Sequence, residues 1–132
     1  MAELTQALMA RLLAAPGVSA IAGAKLHWLK IPPGTSLPYA RLQVISDPRP
    51  QHLGGYHGSR QTRVQADCFA ATYGQARTLA LAVIDALALP AEVAGVRFGR
   101  TRAEGPRDLS EETPAGLIYR MSVDLLIEHT TI

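Results

Sequence analysis

Residues 60–87 constrain the fold most, because a two-residue apolar period there gives way directly to a helical one. In residues 60–70 small and apolar side chains alternate with polar ones, which is typical of a strand with one buried face. Residues 72–87 then carry one apolar stripe at helical spacing, behind a Thr72–Gln75 capping box. The inward positions of the strand are Thr62, Val64, Ala66 and Cys68, with Arg63, Gln65 and Asp67 opposite. This passage predicts a sheet with one face covered by a helix.

The rest of the chain supplies one further main helix and four further strands. Leu4, Leu8 and Leu12 predict a helix over residues 3–14, and residues 18–22 could add a short helical turn. Alternation or apolar runs predict strands at 25–31, 39–46, 96–104 and 117–128, with loops at 48–59 and 106–115. The expected fold is α+β, a mostly antiparallel sheet of about five strands with two main helices packed on one face. A length of 132 residues fits one domain, 1–132.

Charge and cysteine content narrow the function classes. The net charge of +2 is too weak to indicate nucleic-acid binding by itself. The single cysteine, Cys68, excludes an internal disulfide and fits a reducing cytoplasm. The N-terminal residues do not resemble a signal peptide, and no apolar run reaches the roughly 18 residues of a membrane span. We expect no membrane association.

No group of residues has the spacing of a catalytic or metal site. His52, His57 and Cys68 do not match a zinc motif, and the glycine-rich stretch 54–59 lacks the lysine and following helix of a phosphate loop. We therefore expect no enzyme activity, no metal and no cofactor. The alternative is a small ligand-binding α+β domain, in which His52, His57 and Asp67 would converge on a pocket.

Arginines occur in two groups. Arg97, Arg100 and Arg102, followed by Arg107, occupy the predicted fourth strand, and Arg49, Arg60 and Arg63 flank the 48–59 loop. By parity, Arg97 should face the opposite side from Arg100 and Arg102. The first interpretation is a solvated face balanced by Glu104, Asp108, Glu111 and Glu112. The second is a subunit interface, where arginine is enriched. A DNA-lining role ranks third, because no aromatic residues accompany these arginines.

Three segments in order resemble the small tail-completion proteins of siphophages, prophages and gene transfer agents. They are IPPGTSLPYARLQVISD at 31–47, RVQADCFAATYGQAR at 63–77, and RDL at 107–109 with LIYRMSVDL at 117–125. The resemblance covers most of the chain, although Phe69 stands where the family often has tryptophan.

The resemblance implies a structural virion protein, a tail terminator whose ring stops tail-tube polymerisation and offers a docking face to the head. Its partners would be copies of itself in a hexamer, the tail-tube protein and the head–tail connector proteins, with DNA passing through the lumen without specific binding. The protein would reside in the virion tail after synthesis in the bacterial cytoplasm. A head-completion or connector protein of the same particle is the alternative. The expected interface residues are Arg49, His52, Tyr56, His57, Arg60, Arg97, Arg100 and Arg102, and we expect the 48–59 loop to become ordered on assembly.

Overall fold

The computed structural model describes residues 3–49 and 59–132. Its helices are α1 (Leu4–Ala14), α2 (Pro16–Ala22) and α3 (Tyr73–Leu87). Its strands are β1 (Leu26–Trp28), β2 (Tyr39–Ser46), β3 (Arg60–Ala70), β4 (Ala91–Val93), β5 (Val96–Asp108), β6 (Glu111–Thr113) and β7 (Gly116–Thr131).

All seven strands belong to one mixed sheet. The order is β1-β2-β3-β7-β5-β4, and β6 pairs with the first residues of β7. β1 runs parallel to β2, and the other pairs are antiparallel. The expected sheet of about five antiparallel strands with two main helices is therefore wrong.

Short elements explain that error. β4 and β6 have three residues each, which is too few for a two-residue period to stand out. The parallel pairing of β1 depends on the segment 29–38, where Leu29 and Gly34 take φ values of 62° and 84° and redirect the chain. α2 is a separate helix because Pro16 occupies its first turn, where the missing N–H costs nothing.

The helices and one sheet face enclose the core. The predicted inward residues of β3, namely Thr62, Val64, Ala66 and Cys68, are all fully buried. They meet alternate residues of β7, from Met121 to Ile127, and most of the predicted α3 stripe. The N–H of Gln75 donates to Thr72 Oγ1 at 3.2 Å, which is one half of the predicted capping box. The strand and the helix predicted within residues 60–87 are thus confirmed.

The opposite sheet face, called the open face here, is covered by no helix in the described part of the chain. It carries the alternate residues of β2, β3, β7 and β5, most of which are polar. Two of its polar residues, Asp67 and Ser122, are nevertheless almost fully buried. Polar side chains lying across the sheet must therefore shield one another.

A β-bulge changes which arginines share this face. Phe98 pairs with His129, whereas Thr101 pairs with Ile127, so β5 has one extra residue at Gly99–Arg100. Arg97 and Arg102 therefore both lie on the open face, in register with Thr130 and Leu126. The parity argument that separated them is wrong, because it assumed an unbroken strand.

Within the described residues no single helix is long and apolar enough to cross a membrane, and the bent pair α1–α2 passes that test only when its two helices are counted together.

Candidate functional site

Asp67 is the centre of a charge cluster on the open face. Its Oδ2 accepts hydrogen bonds from Arg41 Nη2 at 2.8 Å and from Arg120 Nη2 at 3.2 Å. Gln65 Nε2 donates to the same carboxylate at 3.1 Å and 3.2 Å. Arg41 lies directly opposite Asp67 on β2, and Arg120 lies on β7 one pair further along. The cluster therefore joins β2, β3 and β7.

Phe69 holds both guanidinium groups in place. Its ring centroid lies 5.7 Å from Cζ of Arg41 and 5.6 Å from Cζ of Arg120. Both distances are within the range of a cation–π contact. Tyr39 adds a tilted ring contact to Phe69, with centroids 5.1 Å apart. The aromatic pair thus closes one side of the Asp67 cluster.

The cluster keeps Asp67 ionised despite its burial. Burial alone would raise the pKa of Asp67, which is 1% exposed. Hydrogen bonds from Arg41, Gln65 and Arg120 outweigh that effect and hold the pKa below its ordinary value. One carboxylate facing two guanidinium groups leaves the Asp67 cluster with a net positive charge.

A second network, centred on Asp47, joins the residues that follow β2 to the first residues of β3. Asp47 forms ion pairs with Arg49 at 2.8 Å and with Arg60 at 3.6 Å. Its Oδ1 also accepts the hydroxyl of Thr62 at 2.8 Å. Two of the predicted interface residues, Arg49 and Arg60, are thus brought together at one carboxylate.

His129 extends this second network into the core. Its Nε2 lies 2.8 Å from Thr62 Oγ1. Because the single hydroxyl proton of Thr62 goes to the Asp47 carboxylate, Nε2 of His129 must carry the proton and donate. Burial, followed by the positive charge of Arg60, lowers the pKa of His129 to about 4, so its ring is neutral at pH 7.

The remaining predicted interface residues differ in their pairing. Arg97 forms an exposed ion pair with Glu92 at 3.0 Å. Arg100 and Arg102 are exposed and have no ion-pair partner among the described residues. Glu104, which was expected to balance the charge of the β5 arginines, instead forms an ion pair with Arg63 of β3 at 3.2 Å. His52, Tyr56 and His57 lie outside the described residues.

The structure assigns other roles to the residues of the ligand-binding alternative that it describes. The Asp67 carboxylate is bound by two arginines, whereas His52 and His57 lie outside the described residues. Cys68, which was weighed with the histidines as a metal ligand, is buried, and burial raises the pKa of its thiol to about 12. The described residues contain no group of three or more His, Cys, Asp or Glu side chains that could hold a metal ion.

Sequence reasoning missed the partners of Asp67 and the role of Asp47. Arg41 and Arg120 stand at outward positions of their strands, and their charge is opposite to that of Asp67, which was the signal available in the sequence. Only the observed pairing of β2, β3 and β7 shows that the three side chains meet.

Comparison with known proteins supports the resemblance. The family model described as "Tail completion protein gp17" matches residues 6–128. No curated protein sequence matches the chain. A chain from a solved structure, "Virion of native gene transfer agent (GTA) particle", superposes with a TM-score of 0.65 and is 19% identical. The superposition covers 97% of this chain and 93% of that chain, which shows a shared fold. Since the family model spans nearly the whole sequence, the chain belongs to the tail completion protein gp17 family.

Proposed function

We propose that this protein is a tail terminator, a ring subunit that stops polymerisation of the tail tube and offers a docking face to the head. The observation that carries the proposal is the match of residues 6–128 to a tail-completion family. The shared fold with a chain of a gene transfer agent virion supports it. The resemblance of the three sequence segments supplies the number of six subunits.

A closed ring requires two different patches on each subunit, because each copy meets the next head to tail. The sheet offers two different edges for this purpose. At one edge, β4 pairs only with Val96–Phe98, so residues 99–108 of β5 have no strand on their outer side among the described residues. Unpaired strand edges are open to contact with another chain.

Arginines mark candidate contact surfaces on this subunit. Arg100 and Arg102 lie on the part of β5 whose outer side has no described strand, and Arg97 lies next to that part, on the open face. Arg49 and Arg60 form the second group, at Asp47. We propose that these residues contact neighbouring subunits or the tail tube, where arginine contributes both hydrogen bonds and packing area.

The proposed partners follow from this position in the particle. They are further copies of the chain, the tail-tube protein on one side and the head–tail connector proteins on the other. DNA would pass through the lumen without sequence-specific contact, and the site of action is the tail of the virion.

Mass in solution and images of the assembly test the proposal. The purified protein, alone or mixed with the tail-tube protein of the same particle, is expected to form rings by light scattering and negative-stain microscopy. A protein that remains monomeric under both conditions would contradict it. Capture of connector proteins without tail-tube protein would instead support a place on the head side.

A further inference from the structure

The β6–β7 hairpin projects beyond the neighbouring strand. β3 pairs with β7 only as far as Ala70, opposite Tyr119, so the first residues of β7 pair only with β6 among the described strands. Residues 109–118 are called the arm here. The N–H of Leu109 donates to the carbonyl of Arg120 at 2.8 Å, and Thr113 Oγ1 donates to the carbonyl of Gly116 at 2.7 Å. These bonds make the arm an ordered projection.

The arm presents apolar and acidic side chains to solvent. Leu109 and Leu117 are 42% and 45% exposed. Glu111 and Glu112 are exposed and form no ion pair with any described residue. Leu117 lies on the same side of β7 as the inward Met121, whereas Leu109 lies opposite Arg120 on the other side. A partner that covers the Leu117 side would therefore remove its exposed apolar surface from water.

A groove at the β1–β2 edge has a complementary surface. It has a volume of about 360 Å³ and is lined by Thr5, Trp28, Leu29 and Val44. This is called the edge groove here. Leu29 is 65% exposed. It is the central residue of a γ-turn, in which the N–H of Lys30 donates to the carbonyl of Trp28 at 2.6 Å, and its φ is therefore positive, at 62°. Such strain at an exposed leucine is typical of a functional surface.

The two surfaces differ in charge. From residue 4 to residue 46 the chain has no acidic residue, and from residue 108 to residue 119 it has no basic one. Lys30, beside Leu29, is exposed and unpaired within the described part of the chain. Of the positive residues in the first segment, Arg11 bonds to the carbonyl of Leu89 and Arg41 pairs with Asp67, so the positive charges beside β1 are Lys25 and Lys30. The Glu3 carboxylate, which accepts a hydrogen bond from the N–H of Thr5, adds one negative charge near the groove. The second segment carries three negative charges, Asp108, Glu111 and Glu112. Opposite charge favours contact between these two parts of different copies.

The arm cannot reach the edge groove of its own chain. Leu117 and Leu125 are eight residues apart on β7, about 26 Å at the rise of a strand. Leu125 is in register with Val64, and Val64 is in register with Val44 of the groove. The groove therefore lies level with Leu125, and Leu117 of the same chain is too far along β7 to reach it. The two surfaces also lie on different strands of the sheet, as a head-to-tail contact requires.

We propose that the arm of one subunit docks in the edge groove of the next copy, with Leu117 against Trp28 and Leu29. The acidic residues of the arm then lie near Lys30. This inference rests on the proposed ring, and it identifies the two surfaces that close it. A copy of the same chain is the partner because both complementary surfaces are present on each subunit.

Cysteine cross-linking tests the contact directly. The L29C/L117C variant, assembled with tail-tube protein if required, is treated with a short bismaleimide and run on a denaturing gel. The expected result is a ladder that extends from the dimer to the full ring. Each single variant should remain monomeric on the gel, and an equal mixture of L29C and L117C should stop at the dimer. The native thiol does not interfere, because Cys68 is fully buried.

The matched control is L29C/L81C, which moves the second thiol to an exposed leucine of α3 with similar accessibility. It should give no ladder. Rings of normal mass that yield no L29C/L117C cross-link would overturn the contact while leaving the tail-terminator function standing. A ladder from R102C/L117C instead would place the arm on β5 and would also overturn it. A wild-type protein that never assembles, even with tail-tube protein, would overturn both the contact and the proposed function.

Discussion

Asp67 shows how a single residue can fix the arrangement of several strands. Its carboxylate joins Arg41 of β2 and Arg120 of β7 from a position on β3 between them. A one-residue slip of either pairing would move those side chains to the other face. The Asp67 cluster therefore specifies register on a sheet face that no described helix covers.

Removal of the Asp67 charge should destabilise the fold. In the Asp67→Asn variant, two partly buried guanidinium groups lose their counter-ion, and we expect a cost of about 2–3 kcal/mol, between the values for surface and buried pairs. Urea unfolding at pH 7 measures it. Glu92→Gln, which breaks the exposed Arg97 pair, is the control and should cost less than about 0.5 kcal/mol. Equal costs for the two variants would contradict the role assigned to Asp67.

His129 should make stability depend on pH between about 6.5 and 4. The folded-state pKa is about 4, and the ordinary value is 6.5, so in this window the unfolded chain binds a proton that the folded chain does not. Stability is therefore full above pH 6.5 and falls by about 3 kcal/mol as pH drops to 4. Urea unfolding across this range should show a flatter profile for His129→Gln, which keeps a donor for Thr62. Identical slopes in the two proteins would contradict the assignment.

At the scale of elements, long regular patterns were predicted from sequence and interruptions were missed. The alternation of β3 and the stripe of α3 each extend over ten residues or more, so a local period identifies them. β4 and β6 have three residues each, too few to show a period, although each forms a tight hairpin with the strand that follows it. β1 lies within the strand predicted at 25–31, and only its parallel pairing with β2 was missed. The bulge at Gly99–Arg100 also reverses parity, and the local signal for it was the glycine inside the predicted strand, which the parity argument did not use.

A second bulge, at Gly105–Pro106, requires its glycine. Gly105 has a φ of 110°, and an added Cβ would lie 2.9 Å from the carbonyl oxygen of Ser122. Gly105→Ala should therefore cost about 2 kcal/mol or more in thermal or urea unfolding. The matched control is Gly74→Ala in the first turn of α3, where an added Cβ meets nothing within 4 Å. That change should be neutral or stabilising by up to about 1 kcal/mol, and the opposite order of the two variants would count against the bulge geometry.

At the scale of the whole molecule, charge is distributed unevenly along the chain, although the net charge is only +2. Acidic residues are absent from residues 4–46, whereas basic ones are absent from 108–119. The sequence alone contained this asymmetry, but the positions of the edge groove and the arm were needed to give it a meaning. Family membership was predictable from the three ordered segments, and the family model matches residues 6–128. Residues of all three segments, Tyr39, Asp67 and Arg120, meet in the Asp67 cluster.

Growth of the tail tube is the most direct test of the proposed function. Tail-tube protein is allowed to polymerise with and without this protein, and tube lengths and ends are measured by negative-stain microscopy. We expect tubes to stop growing once the protein is added, with a ring visible at one end. Tubes that continue to lengthen at the same rate, with bare ends, would contradict the assignment of this chain as a tail terminator.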